Sequence, residues 1–208
     1  MGLKKQFSFL FLIALAGIYG LSACNGCNTN KQDNKEDTVA VNTNKYRDTV
    51  KLWTEQRMIQ WTGWLDSSMH QKFTFDSLEI ADADTLPAEI SSIMPAKQFN
   101  DFNPYFIYSP DSSQVIDLLS YGNFLRKNKK GQIVLESGEP DTEVAIINVQ
   151  TKKRERILFT GPSTLIKEAI WVDNQTVLIG GAMYDENNVL VPVLWKYSVP
   201  HHILESWQ

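Results

Sequence analysis

The sequence predicts a mainly β protein: an antiparallel meander with one amphipathic helix at the start of its folded part. Three observations support this fold class. Short apolar β runs separated by turn residues fill the chain from residue 104 onward. Two stretches of that region are similar to each other at an offset of about 60 residues. Residues 48–66 instead carry apolar side chains at a helical spacing. An α+β fold is the alternative.

The predicted helix over 48–66 follows polar residues that can cap it. At 100° per residue, its apolar side chains fall on one broad face. They are Val50, Trp53, Met58, Trp61, Trp64 and Leu65. This face either packs on the sheet or lies exposed as a platform for a partner protein or a sugar. In the second case Trp53, Trp61 and Trp64 are the partner-binding residues.

The segment between this helix and the β region predicts three short elements. Residues 73–80 alternate weakly in polarity and predict a strand. The acidic stretch 81–85 predicts a loop. Residues 87–94 begin at one proline and end just before another, and they predict a short helix between the two. Further on, the turn residues 128–131 predict the tip of a hairpin.

Each of the two similar stretches predicts four antiparallel strands. The first comprises 106–111, 115–118, 144–149 and 156–159, and the second comprises 169–174, 177–179, 193–197 and 202–205. Their openings, Ser109-Pro110-Asp111 and Trp171-Val172-Asp173, resemble the first strand of blades in periplasmic β-propeller proteins. The resemblance implies two blade-like units. Because a propeller ring needs about four blades or more, two units imply an open sheet or an incomplete propeller.

The start of the chain resembles the signal peptide of a bacterial lipoprotein. Two lysines precede an apolar run over 7–21, which is short for a membrane-spanning helix. Leu21-Ser22-Ala23-Cys24 then matches the lipobox. The resemblance implies that residues 1–23 are removed and that Cys24 carries acyl chains, which hold the protein on a lipid bilayer. An ordinary secretory signal and an uncleaved anchor helix are the alternatives.

By the same resemblance, Asn25 after the cysteine favours the outer membrane over the inner one. Residues 24–45 are rich in Asn, Thr and charge and predict a flexible tether, while residues 46–208 predict a single β-rich domain.

The formal net charge of the 208-residue chain is −4, and it becomes −6 when Lys4 and Lys5 leave with the signal peptide. An acidic body argues against binding to nucleic acid.

The sequence contains no familiar catalytic or metal-binding motif, so we predict no catalytic residue, no metal and no cofactor. His201 and His202 are adjacent and would point to opposite faces of a strand, which is poor geometry for one metal ion. Together with His70, they are interpreted as ordinary surface or edge histidines. Gly180-Gly181 predicts a bulge or turn rather than a phosphate-binding loop.

Acidic residues leave an enzyme open as an alternative. A carboxylate-based hydrolase would need two of them in one pocket, about 5 to 9 Å apart. The candidates are Asp117, Glu136, Asp141 and Asp185. Asp117 lies in an otherwise apolar run, so if it is buried it must pair, with Arg154 or Arg156 as its partner.

The sequence therefore predicts a membrane-anchored envelope lipoprotein with a non-catalytic, accessory role in binding a protein or a glycan. One alternative is the hydrolase with paired carboxylates. The other is a structural subunit of an envelope assembly that docks through the tryptophan face.

Overall fold

A computed structural model describes residues 35–70, 72–87 and 91–208, with side chains from residue 44 onward. The lipobox, Cys24 and the first part of the predicted tether lie outside these residues. The helices are α1 (Lys35–Arg57), α2 (Ile59–Met69) and α3 (Ala96–Phe102). The strands are β1 (Ile80–Thr85), β2 (Ser91–Ile93), β3 (Ile107–Tyr108), β4 (Gln114–Asp117), β5 (Asn123–Lys127), β6 (Ile133–Ser137), β7 (Thr142–Asn148), β8 (Lys153–Thr160), β9 (Thr164–Trp171), β10 (Thr176–Tyr184), β11 (Leu190–Ser198) and β12 (Ile203–Trp207).

The described strands form two open five-stranded sheets and one two-stranded ribbon, all with antiparallel pairing. Sheet 1 has the order β2-β8-β7-β4-β3, sheet 2 has the order β1-β12-β11-β10-β9, and the ribbon pairs β5 with β6. In each sheet, four strands follow one another in chain order, and one edge strand comes from the segment before them. The prediction of a mainly β, antiparallel and open fold is confirmed.

The two sheets pack against each other through one face of each. Sheet 1 contributes Ile116, Val144, Ile146 and Ile157 to this inter-sheet core, and sheet 2 contributes Ala169, Trp171, Val177, Ile179, Val193, Trp195 and Tyr197. These residues recur at every second position of a strand, as one face of a sheet requires. The indole N–H of Trp171 also donates to the carbonyl of Ile107 at 2.9 Å, which joins β9 to β3.

The outer faces of both sheets are apolar as well, and helices cover them. Leu178 and Leu194 of sheet 2 pack in a cluster with α1 and α2, and this cluster also contains Val50, Met58, Trp61 and Leu65. Val115 and Ile147 of sheet 1 pack in another cluster with α3, which contains Phe99 and Phe102. The order of layers is therefore α1 and α2, sheet 2, sheet 1, and α3.

Trp61 of α2 sits directly on β10. A Cβ atom on Gly180 would lie 2.4 Å from the Trp61 ring, so only glycine leaves room for this contact. The indole N–H donates to the carbonyl of Gly181 at 2.8 Å, and the backbone N–H of Trp61 donates to Glu168 Oε2 at 2.8 Å. The pairing of β10 with β9 shifts register between the two glycines. The bulge predicted there is thus present, within a strand.

The chain between residues 70 and 102 differs from its prediction. Residues 73–80 contain a short 3₁₀ turn at Phe75–Ser77 rather than a strand. The predicted loop over 81–85 is part of β1, which pairs with β12. The helix predicted over 87–94 is wrong, because Ser91–Ile93 forms β2 along β8. Both strands are fully exposed edge strands, held by backbone pairing and not by a buried face.

Replacing Gly180 by alanine should destabilise the fold, because the new methyl group overlaps the ring of Trp61. Overpacking of this kind costs about 1–3 kcal/mol. Urea denaturation of Gly180→Ala would measure the loss in the free energy of unfolding.

Gly63→Ala is the matched control for this substitution. Gly63 lies in the exposed part of α2, and a Cβ atom there meets nothing within 4 Å. Alanine in a helix is favoured over glycine by about 0.5–1 kcal/mol, so the control should be stabilising. Equal effects of the two substitutions would contradict the placement of Trp61.

Candidate ligand-binding cleft

An open cleft lies between α3 and the start of β5, on the outer side of sheet 1. Its main cavity has a volume of about 520 Å³, within the range of roughly 300–1,000 Å³ typical of small-molecule sites. The helix side contributes Lys97, Gln98, Asp101 and Phe102, and the ribbon side contributes Gly122, Asn123, Phe124 and Leu125. A second cavity of about 270 Å³ shares Gln98 and Gly122 with the first and reaches Arg154. The two therefore form one continuous cleft.

Asp117 shapes the loop that leads from β4 to this cleft. Its Oδ1 atom accepts hydrogen bonds from the backbone N–H groups of Leu119 and Ser120, at 3.1 and 2.9 Å. Its Oδ2 atom accepts the hydroxyl of Ser120. The chain then passes through Gly122, whose φ of +63° lies in the left-handed region that favours glycine. These contacts determine where β5 begins.

A buried charge cluster lies beside this loop. Nη2 of Arg154 lies 3.2 Å from Oδ2 of Asp117, and its Nη1 donates to Oε1 of Glu143. Nε of Arg156 donates to the other Glu143 oxygen at 2.7 Å. The side chains of Asp117 and Glu143 are each only 1% exposed. The predicted pairing of Asp117 with Arg154 is confirmed.

The cluster joins three neighbouring strands of sheet 1, because Asp117 ends β4, Glu143 is in β7 and both arginines are in β8. Burial lowers the pKa of Arg154, and the nearby carboxylate of Asp117 opposes that shift. Two arginines face two carboxylates, so the formal charges of the cluster balance. Its carboxylates act as acceptors that hold the strands and the loop together, which is a scaffold role.

The other carboxylates proposed from the sequence lie apart from one another. Glu136 is exposed on β6 and pairs with Arg126, whose Nε lies 3.1 Å from its Oε2 atom. Asp185 accepts backbone hydrogen bonds within the turn between β10 and β11. Asp141 is half-buried just before β7. Neither these three residues nor Asp117 line the cavities described here.

The three tryptophans of the helical segment lie on the far side of the molecule from the cleft. Trp61 is fully buried in the cluster between the helices and sheet 2. Trp53 and Trp64 are half-buried and pack against the same cluster. Nζ of Lys167 lies 4.5 Å from the centre of the Trp64 ring. The ring of Trp61 is therefore a core element in this structure.

A third cavity, of about 250 Å³, lies where the two sheets meet. Oε1 of Glu155 accepts the hydroxyl of Tyr197 at 2.7 Å and lies 2.6 Å from Nδ1 of His202. Burial, followed by this hydrogen bond to Glu155, raises the pKa of Tyr197. His202 lies in the turn before β12, not in the strand, and His201 beside it is exposed. The three groups join β8 of sheet 1 to β11 of sheet 2.

In the described part of the chain, no helix combines the length and the apolar character that a membrane crossing requires. Among the side chains that the structure places, no three His, Cys, Asp or Glu residues come together in a way that could hold a metal ion. Comparison of the chain with protein-family models, curated proteins and solved structures gives no match. What the cleft can bind therefore follows from its own residues.

The cleft residues Lys97, Gln98 and Asn123 were not expected from the sequence. Their helix and strand come together through tertiary packing, in which Phe102 and Leu125 join the apolar cluster outside sheet 1. No spacing in the sequence signals that contact. The one available signal was the prediction that Asp117 pairs with an arginine, since that cluster lies beside the cleft.

Replacing Arg154 by methionine should strongly destabilise the protein, because it leaves Asp117 and Glu143 buried without their shared cation. Removing one partner of a buried ion pair costs about 3–5 kcal/mol. Chemical denaturation would measure the change in the free energy of unfolding.

Arg126→Met provides the comparison. Arg126 also pairs with a carboxylate, but its side chain is 70% exposed. Loss of an exposed pair should change stability by less than about 1 kcal/mol. If Arg154→Met were as mild as this control, the cluster would not hold the loop.

Proposed function

We propose that the protein is a lipid-anchored lipoprotein of the bacterial cell envelope that binds a protein or glycan ligand without catalysing a reaction. The observation that carries the binding role is the open cleft between α3 and β5. It is large enough for a ligand, and both apolar and polar side chains line it, as in typical binding sites.

The lipobox Leu21-Ser22-Ala23-Cys24 supports the anchor. In this proposal Cys24 becomes the first residue of the mature chain and carries two or more acyl chains. Each buried methylene contributes about 0.8 kcal/mol, so several chains hold the protein on a bilayer where a single chain is marginal. Asn25 after the cysteine favours the outer membrane.

The contacts of the buried carboxylates favour binding over the hydrolase alternative. Asp117 and Glu143 are both engaged by arginines, and Asp117 also accepts backbone and hydroxyl hydrogen bonds. A glycosidase needs one carboxyl group to donate a proton and a second to act as nucleophile or base in the same cleft. The alternative of a structural subunit docking through the tryptophans gains no support from the buried Trp61.

The order of the strands within each sheet supports an interpretation of the two sheets as propeller-like blades. In both sheets, four strands lie side by side in chain order, as in a propeller blade, although in sheet 1 the β5–β6 ribbon separates β4 from β7 along the chain. We propose that they are two blade-like units of an incomplete propeller. The helical segment on sheet 2 would cover a face that a further blade would otherwise cover.

The Cys24→Ala variant should move the protein from the membrane fraction to the soluble fraction, because no thiol remains for acylation. Mass spectrometry of the membrane-extracted wild type should give an acylated N-terminal peptide that starts at Cys24. Cys27→Ala is the control, since Cys27 lies three residues further on and should not affect the anchor. An unmodified Cys24 with residues 1–23 retained would contradict the lipoprotein assignment.

Photo-crosslinking in intact cells tests the binding role of the cleft. A benzoylphenylalanine at Gln98 lies in the cleft, and the same group at Gln60 lies on the exposed surface of α2. We expect a discrete adduct from position 98 that position 60 does not form. Absence of an adduct at position 98, or the same adducts at both positions, would contradict the assignment of the cleft.

A further inference from the structure

One edge of β5 faces away from β6, and the register of the ribbon shows which backbone groups lie on it. The N–H of Gly138 donates to the carbonyl of Gly122, and the N–H of Asn128 donates to the carbonyl of Gln132. Both pairs belong to the register of the ribbon. In an antiparallel pair, hydrogen-bonded and non-hydrogen-bonded positions alternate. The even-numbered residues of β5 therefore bond to β6.

The odd-numbered residues of β5 direct their N–H and C=O groups away from β6. These residues are Asn123, Leu125 and Lys127. Among the residues that the structure describes, their backbone groups have no hydrogen-bond partner. An edge of this kind is a ready template for another strand.

The cleft lies along this edge. Gly122, Asn123, Phe124 and Leu125 all line it, although they are consecutive in the chain. Side chains of a strand alternate between its two faces, so four consecutive residues can line one cavity only if the edge of the backbone faces it. Helix α3 forms the opposite wall. The cleft is thus a groove between a helix and a free strand edge.

The charge of the ribbon indicates which kind of strand this edge would accept. Residues 123–137 contain four basic side chains and one acidic one, although the whole chain has a formal net charge of −4. Two ribbons from two copies of the protein would repel each other, which disfavours self-pairing. An acidic segment would be attracted.

The lining of the groove adds a second requirement for the side chains of a bound strand. Phe102 and Leu125 belong to the apolar cluster outside sheet 1 and also line the cleft. In an added strand, every second side chain would face this apolar lining and the others would face away from it. Acidic residues in alternation with apolar ones therefore match both the lining and the basic surroundings.

We propose that the cleft binds an extended acidic peptide segment, which adds as a third strand to the free edge of β5. This inference rests on the proposed binding role and names its partner. β5 has five residues and spans about 17 Å, so a segment of comparable length pairs with its whole free edge, of which residues 123–125 line the cleft. Backbone hydrogen bonds to residues 123, 125 and 127 supply affinity, and the groove selects the alternating side chains.

The test uses the full-length protein in detergent and a capped octapeptide of alternating Asp and Val. We expect this peptide to bind and the corresponding Lys and Val peptide to bind about tenfold more weakly or worse. Binding of a hexamer of N-acetylglucosamine in place of the Asp and Val peptide would overturn the proposal.

Two N-methylated forms of the peptide test strand addition itself. One is methylated on the Asp nitrogens and the other on the Val nitrogens, so in each form the nitrogens of one edge lose their donors. If the peptide adds as a strand, one form should lose about tenfold or more in affinity while the other retains most of it. Equal affinities of the two forms would overturn strand addition, and this readout does not depend on any variant of the protein.

Proline substitutions test the same point from the side of the protein. Lys127 and Ile133 face each other in the ribbon, and their N–H groups lie on opposite outer edges. Lys127→Pro removes a donor from the free edge of β5, beyond the part that lines the cleft, and Ile133→Pro removes one from the outer edge of β6, where proline is tolerated equally. We expect only Lys127→Pro to weaken peptide binding, with Lys127→Thr as the control for charge. Equal effects of the two prolines would overturn the proposal.

The crosslinking and peptide-binding experiments together distinguish failure of this inference from failure of the proposed function. A crosslink from position 98 without any peptide binding would leave the binding role in place and reject the peptide as its ligand. Failure of both experiments would reject both.

Discussion

The structure depends on one constraint: both sheets are apolar on both faces. In β10, Val177 and Ile179 enter the inter-sheet core, while Leu178 between them meets the helices. In β4, Ile116 likewise enters the inter-sheet core, while Val115 beside it joins the cluster with α3. Packing the sheets together buries only the inner faces, and apolar surface left in water costs roughly 25 cal/mol per Å². The strands therefore require a cover on each outer face, and the helices provide it.

The cleft follows from the way in which the cover of sheet 1 is built. Helix α3 has only seven residues, or about two turns, and the ribbon is inserted beside it between β4 and β7. The cluster of Asp117, Arg154 and Glu143 holds the point where the chain leaves β4, so the ribbon starts at a defined place. A short helix and a ribbon with an unpaired edge leave a groove between them.

The sequence predicted the parts of the fold whose signal is local. The four-strand stretches, the hairpin at 128–131 and the partner of Asp117 follow from alternation, turn residues and the cost of a buried charge. Edge strand β1 was predicted as a loop because its acidic side chains bury nothing, and only its pairing with β12 makes it a strand. The cleft was missed for a similar reason, since α3 and β5 meet through tertiary contacts alone.

The central claim is that β5 has a free edge along the cleft. Residue-resolved hydrogen exchange of the ligand-free protein tests it most directly, because bonded amides exchange slowly and unpaired ones exchange fast. We predict alternation along β5, with slow exchange at Phe124 and Arg126 and fast exchange at Asn123, Leu125 and Lys127. Uniform protection of all five amides would contradict the free edge.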